Sequence, residues 1–210
     1  MKYLDFKKNI SKNEIAECAR ILVNGGVGIF PTETVYGIGA NGLNSKSVKK
    51  IFNVKERPYN KPINLLVSDK DMIKSVAKNI TELEWKIIDN FFPGPITIIL
   101  KRKKCVPDIV VSGGDTVGIR MPEESITLEL IKEAGVPLAT PSANITGKKS
   151  GTNYDEIIKD FDKKVDFFID SGPSRIGKPS TIVKVVDGEI VILRQGNITK
   201  EEILKKLNDE

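Results

Sequence analysis

Pro31-Thr32-Glu33-Thr34-Val35-Tyr36-Gly37 follows the short apolar run Val27 to Phe30, so two threonines and a tyrosine fall where a strand should stop. Thr140-Pro141-Ser142-Ala143-Asn144 repeats the arrangement behind a second apolar run, Val136 to Ala139. In an open α/β sheet, ligands collect outside the carboxyl ends of strands. Hydroxyls both donate and accept hydrogen bonds, which suits the carboxylate, amine and hydroxyl of an amino acid. Ordinary turns favour the same residues, so the first stretch alone leaves site and turn evenly balanced.

Strands and helices alternate outward from these two loops. Ser11-Lys12-Asn13-Glu14 has the spacing of a capping box and opens a helix with Ile15, Ala19, Leu22 and Val23 on one face, stopped by Gly25-Gly26. Further helices are expected over Ser45 to Lys55, Asp69 to Val76, Thr81 to Phe91, Thr127 to Ala134 and Tyr154 to Phe161. A last one is expected over about 199–208, and Thr81/Glu84 and Thr199/Glu202 form two more capping boxes. Strands are expected over Ile63 to Val67, Ile96 to Leu100, Val117 to Met121, Val165 to Asp170, Ile182 to Val186 and Ile190 to Leu193. Asp187-Gly188 between the last two marks a hairpin, so the sheet has antiparallel parts. No repeat or linker interrupts the pattern. One α/β domain over 1–210 is expected, with its motifs in about 11–196.

Composition narrows the chemistry. The 210 residues are 40% hydrophobic and 29% charged, the profile of a globular domain. No apolar run reaches the roughly 18 residues of a membrane span, and the N-terminus lacks an apolar segment long enough for a signal peptide; a cytoplasmic location without membrane contact is expected. Cys18 and Cys105 make neither a metal spacing nor a disulfide framework. The absence of histidine excludes Ser-His-Asp and Cys-His catalysis and a histidine general base.

The cations are distributed unevenly, six arginines against twenty-seven lysines. Where lysine is the default, an arginine points to a position needing a planar, forked donor. Arg57, Arg120 and Arg194 each follow a motif or a strand. Lys55-Glu56-Arg57-Pro58 and Lys61 put three cations within seven residues, enough to neutralise a triphosphate. Cations at a helix C-terminus are also ordinary dipole partners. No Walker A loop is present. Lys101-Arg102-Lys103-Lys104 is a separate basic run, and the net charge is +5.

Taken together, Pro-Thr-Glu-Thr-Val-Tyr-Gly, Lys-x-Arg-Pro, Pro-Ser-Ala-Asn and Ser-Thr-Ile (from Ser180) resemble the YrdC-like family of threonylcarbamoyl-AMP synthases, in the family's order from about Ser11 to Arg194. The resemblance implies a single α/β domain with a twisted mixed β-sheet flanked by helices around a large basic cavity. It implies an enzyme that makes threonylcarbamoyl-adenylate and pyrophosphate from L-threonine, bicarbonate and ATP, the first step towards N6-threonylcarbamoyladenosine in tRNA. Carried over by position, Thr34, Arg120, Thr140 and Ser180 meet L-threonine. Lys55, Arg57, Lys61, Thr116, Ser142, Asn144, Ser150 and Arg194 meet ATP, with Lys55, Arg57 and Arg194 acting in the chemistry. Mg²⁺ is expected on the ATP phosphates and no metal on protein ligands alone. Longer members add a C-terminal domain, and this sequence runs only sixteen residues beyond Arg194.

The missing histidine fits such a reaction. A carbamate oxygen is already anionic, so its attack on the α-phosphate needs alignment and charge neutralisation more than a strong base. Glu33 is a candidate for deprotonating the threonine ammonium. The expected partners beyond substrates are tRNA or double-stranded RNA and downstream threonylcarbamoyl-transfer proteins. Two other readings compete: an RNA-binding module without catalysis, supported by the basic runs, and a carbamoyl-transfer domain of the hydrogenase-maturation type, which shares the fold.

Overall fold

Each of the three capping boxes forms. Ser11 N donates to Glu14 Oε2 at 3.0 Å, Thr81 N to Glu84 Oε2 at 2.7 Å and Thr199 N to Glu202 Oε2 at 2.7 Å. These pairs satisfy backbone donors that a helix start leaves open. The computed structural model describes residues 1–6 and 11–208; residues 7–10 and 209–210 of the expected 1–210 domain lie outside the described residues.

In chain order the elements are β1 (Lys2–Asp5), α1 (Lys12–Val23), β2 (Gly28–Phe30), β3 (Gly37–Asn41), α2 (Ser45–Val54) and β4 (Leu65–Leu66). Then come α3 (Lys70–Val76), α4 (Glu82–Phe91), β5 (Ile96–Lys101), α5 (Asp108–Val111), β6 (Thr116–Arg120) and α6 (Ser125–Ala134). The chain closes with β7 (Leu138–Ala139), α7 (Tyr154–Phe161), β8 (Phe167–Asp170), β9 (Thr181–Val186), β10 (Glu189–Arg194) and α8 (Lys200–Asn208). No helix among the described residues is long and apolar enough to cross a membrane.

One mixed sheet carries the fold, in the order β1-β8-β2-β3-β7-β4-β6-β5-β9-β10. Pairs β1–β8, β2–β8, β4–β6 and β5–β9 are parallel; β2–β3, β3–β7, β4–β7, β5–β6 and β9–β10 are antiparallel. Successive strand residues face opposite sides, and the core divides accordingly. Phe30, Phe167 and Ile169 join Leu22 of α1 and Leu130 and Ile131 of α6. Ile29 and Phe168, on the other side, join Val48, Ile51 and Phe52 of α2.

The expected strands shrink in places. Only Leu65–Leu66 of the Ile63 to Val67 run forms a strand; before it the bonds leave the ladder, with Ile63 N donating to Val110 O of α5 and Asn64 O accepting from Thr140 N. Val136 to Ala139 reduces to Leu138–Ala139, and the Val165 to Asp170 strand starts at Phe167. The strand β3 was not expected, since Gly37-Ile38-Gly39-Ala40-Asn41 has a composition that strands disfavour. Its glycines are steric necessities. A Cβ on Gly39 would lie 2.5 Å from the Phe30 ring, and one on Gly37 would lie 2.5 Å from Thr140 Cγ2.

Candidate active site

The loops that follow β2 and β7 meet at the site. Ala143 N donates to Tyr36 O at 2.7 Å and Ile38 N to Pro141 O at 3.0 Å, while Gly37 and Ser142 form an isolated bridge. Tyr36 is fully buried and its hydroxyl donates to Gly172 O at 2.7 Å, tying in the segment that leads to Ser180. Arg120 ends β6, Ser180 precedes β9 and Arg194 ends β10 at one end of the strands, while Thr140 follows β7, which runs antiparallel to β4 and so finishes at the other end.

Between them lies a hollow of about 410 Å³. Thr34, Arg120, Thr140 and Ser180, the residues named for the amino acid, all line it. So do Arg57, Ser142, Ser150 and Arg194 from the nucleotide set. Lys55, Lys61, Thr116 and Asn144 are not on its walls. Lys55 is buried and its ammonium donates to Ser142 O and Asn144 O, bracing the loop from behind. Burial, aided by the neighbouring Arg57 charge, pushes the Lys55 pKa down to about 7. Lys61 is exposed and offers its backbone oxygen to Arg57 Nε at 3.0 Å. Asn144 turns into its own loop, donating to Ile145 O and Lys148 O. Thr116 sits at the opposite end of β6 from Arg120, about 13 Å away by strand rise.

The lining is polarised by its hydrogen bonds. Thr32 Oγ1 donates to Val35 O at 2.6 Å and lies 2.8 Å from Thr34 Oγ1, which accepts from Arg120 Nη1 at 2.8 Å. With the Thr32 proton spent on Val35, the Thr34 hydroxyl donates to Thr32 and keeps an acceptor lone pair. Thr140 Oγ1 likewise donates to Leu138 O at 3.1 Å. Both hydroxyls are therefore suited to receive an ammonium or hydroxyl proton. Arg120 is 6% exposed and its Nη2 lies 2.7 Å from Oε2 of Glu33, which is 1% exposed. Burial lowers the Arg120 pKa and Glu33 opposes that shift. Arg57 is held by Lys61 O and Pro62 O, and Arg194 by Ser180 O and Oγ.

Asn64, Ile99, Ile182 and Leu193 also line the hollow and were not anticipated as site residues. Asn64 carried a signal, a polar residue inside the apolar run Ile63 to Val67; the others read as core. Thr97 was also missed, a buried hydroxyl 2.8 Å from Ser180 Oγ. A second hollow of about 670 Å³ is lined by Lys101 to Lys104 with Lys78, Asp108 and Asp115, and contains none of the residues named for the substrates.

The Sua5/YciO/YrdC family model, described as "Telomere recombination", matches residues 20–196. The chain belongs to the Sua5/YciO/YrdC family. Within that family it is 48% identical over 184 residues to a putative threonylcarbamoyl-AMP synthase of Methanocaldococcus jannaschii, covering 88% of this chain and 86% of that one. It is 37% identical to the threonylcarbamoyl-AMP synthase of Pyrococcus abyssi over 98% of this chain and 61% of the relative. The crystal structure of P. abyssi Sua5 complexed with L-threonine superposes with a TM-score of 0.93 at 38% identity, covering 98% of this chain and 60% of that one. The chain thus spans about three-fifths of the Pyrococcus relative and most of the Methanocaldococcus one.

Proposed function

We propose that this chain is a threonylcarbamoyl-AMP synthase of the tRNA N6-threonylcarbamoyladenosine route, condensing L-threonine, bicarbonate and ATP. The observation that carries the reading is the convergence of Thr34, Arg120, Thr140 and Ser180 with Arg57 and Arg194 on one hollow. The named relatives and the threonine complex of the Pyrococcus protein support it.

The steps follow from the chemistry of the walls. Threonine's carboxylate pairs with Arg120, and its ammonium faces the acceptor hydroxyls of Thr34 and Thr140. After loss of a proton, the amine adds to carbon dioxide or bicarbonate, giving a carbamate and, from bicarbonate, water. A carbamate oxygen attacks the α-phosphorus; the bond to the bridging oxygen breaks and pyrophosphate leaves. Arg57 and Arg194 neutralise the charge that builds on the phosphates. Lys55 acts one layer back, by holding the Ser142–Asn144 loop in place. Mg²⁺ enters as part of the nucleotide substrate, with phosphate oxygens as ligands. The cationic character of this hollow suits a metal already held by phosphates. No group of three or more metal-ligating side chains occurs among the described residues.

Incubation with ATP, L-threonine and bicarbonate, omitting each in turn, tests the reading. Threonylcarbamoyl-adenylate and pyrophosphate should form only with all three; pyrophosphate release independent of threonine would refute it. We assign such an activity to the cytoplasm, where ATP and tRNA are both at hand. The second hollow supports an added contact with RNA. Lys78, Lys101, Lys103 and Lys104 around it would follow a phosphate backbone, and such binding should weaken steeply with salt.

A further inference from the structure

Glu33 is a buried carboxylate directly behind Arg120, a residue of the hollow's wall. Its carboxylate lies 2.7 Å from Arg120 Nη2, yet neither of its oxygens completes a hydrogen bond of good geometry. Its backbone oxygen is occupied, accepting from Ile176 N at 2.8 Å. Arg120 commits Nε to Gly94 O at 3.2 Å and one Nη1 hydrogen to Thr34 Oγ1 at 2.8 Å. Of these residues, Thr34 and Arg120 reach the hollow and Glu33 does not. A buried ion pair with incomplete hydrogen bonding is a poor stabilising device, so stability does not account for it.

We propose that Glu33 is a positioning residue for the amino-acid substrate. Its charge engages the buried Nη2 and holds the Arg120 guanidinium against Thr34, leaving the second Nη1 hydrogen for a carboxylate in the hollow that Arg120 lines. It also cancels the Arg120 charge, so that the floor holds its cation in place before substrate arrives. Arg120 and Thr34 wall Glu33 off from the hollow, which removes it as the acceptor of the threonine proton. The inference rests on the synthase reading only in taking the substrate to be an α-amino acid whose carboxylate meets Arg120.

The test is Glu33→Gln, with threonine-dependent pyrophosphate release measured against both substrates. The threonine KM should rise about tenfold or more while the ATP KM stays within about twofold and kcat within about threefold. Glu33→Asp, which keeps the charge, should lie closer to the parent in threonine KM. An unchanged threonine KM in folded Glu33→Gln overturns the proposal. A fall in kcat with KM unchanged and a flattened pH profile also overturns it, because Glu33 would then be the proton acceptor. If Glu33→Gln does not fold, the double variant Glu33→Gln/Arg120→Met buries no unpaired charge and takes its place. It should match Arg120→Met in threonine KM, and a further rise beyond that variant defeats the proposal. Calorimetric L-threonine binding to the parent and Glu33→Gln separates the two readings. A parent chain that binds threonine but releases no pyrophosphate fails the synthase reading alone, while equal threonine affinity in both chains fails the role of Glu33 alone.

Discussion

The three arginines of the hollow differ in what surrounds them, and their substitutions should differ accordingly. Arg57 donates to two backbone carbonyls, Lys61 O and Pro62 O, at the mouth of the site. Arg57→Ala should abolish pyrophosphate release while costing about 1–3 kcal/mol in denaturant unfolding, the net worth of two such partly exposed hydrogen bonds. Arg120→Ala is a different experiment. It should raise the threonine requirement far more than the ATP requirement, and it also strands Glu33 in the interior. Breaking a buried pair from one side costs about 3–5 kcal/mol, so a lowered melting temperature should accompany the kinetic change; an unaltered one would contradict the burial of the pair. Arginine scarcity made these residues legible in the sequence. Lys55 and Asn144 were legible as candidates, but whether such side chains face a ligand or their own loop depends on backbone bonds formed across the fold. Thr97 behind Ser180 left no signal, because a threonine between isoleucines reads as strand.

At the level of elements, β3 is the instructive case. Its glycines lower strand propensity, yet the strand forms because Phe30 and Thr140 occupy the space that side chains would need. Gly39→Ala should therefore destabilise the protein by about 1–3 kcal/mol through overpacking, read from the urea midpoint. Gly37→Ala presses on Thr140 and should weaken threonine binding as well. The helices behave as their patterns dictate. Thr81→Ala removes an exposed cap from α4, none of whose residues lines the hollow, and should cost about 1 kcal/mol with catalysis unchanged. Local chemistry specified the helix starts because a cap needs only residues three apart. Strand extents were less legible, because pairing partners lie far away in sequence: β4 pairs with β6 and β7.

For the molecule as a whole, pH offers a test of how completely the interior is closed. Lys55 titrates near 7 in the folded protein against 10.5 for a free lysine. Between those values the unfolded chain keeps the proton that the folded chain releases, so stability should rise with pH across that window. Cys18, pushed up to about 12 by burial, works in the opposite direction from about pH 9, where a free thiol starts to ionise. Unfolding free energies of the parent relative to Lys55→Met should thus climb from pH 7 to 8.5; a flat difference would mean that Lys55 is solvated. The same closure separates the two levels of information in this chain. Sequence alone determined the alternation of strands and helices, the mixed sheet, the capping sites, the histidine-free chemistry and the motifs that carry the family, since each depends on residue type and short spacing. Only the tertiary structure decided that Lys55 braces a loop, that Glu33 faces Arg120 instead of the hollow, and that Asn64 and Leu193 form its walls. Those outcomes depend on which strands lie side by side, and that order is set by burying two faces of one sheet at once.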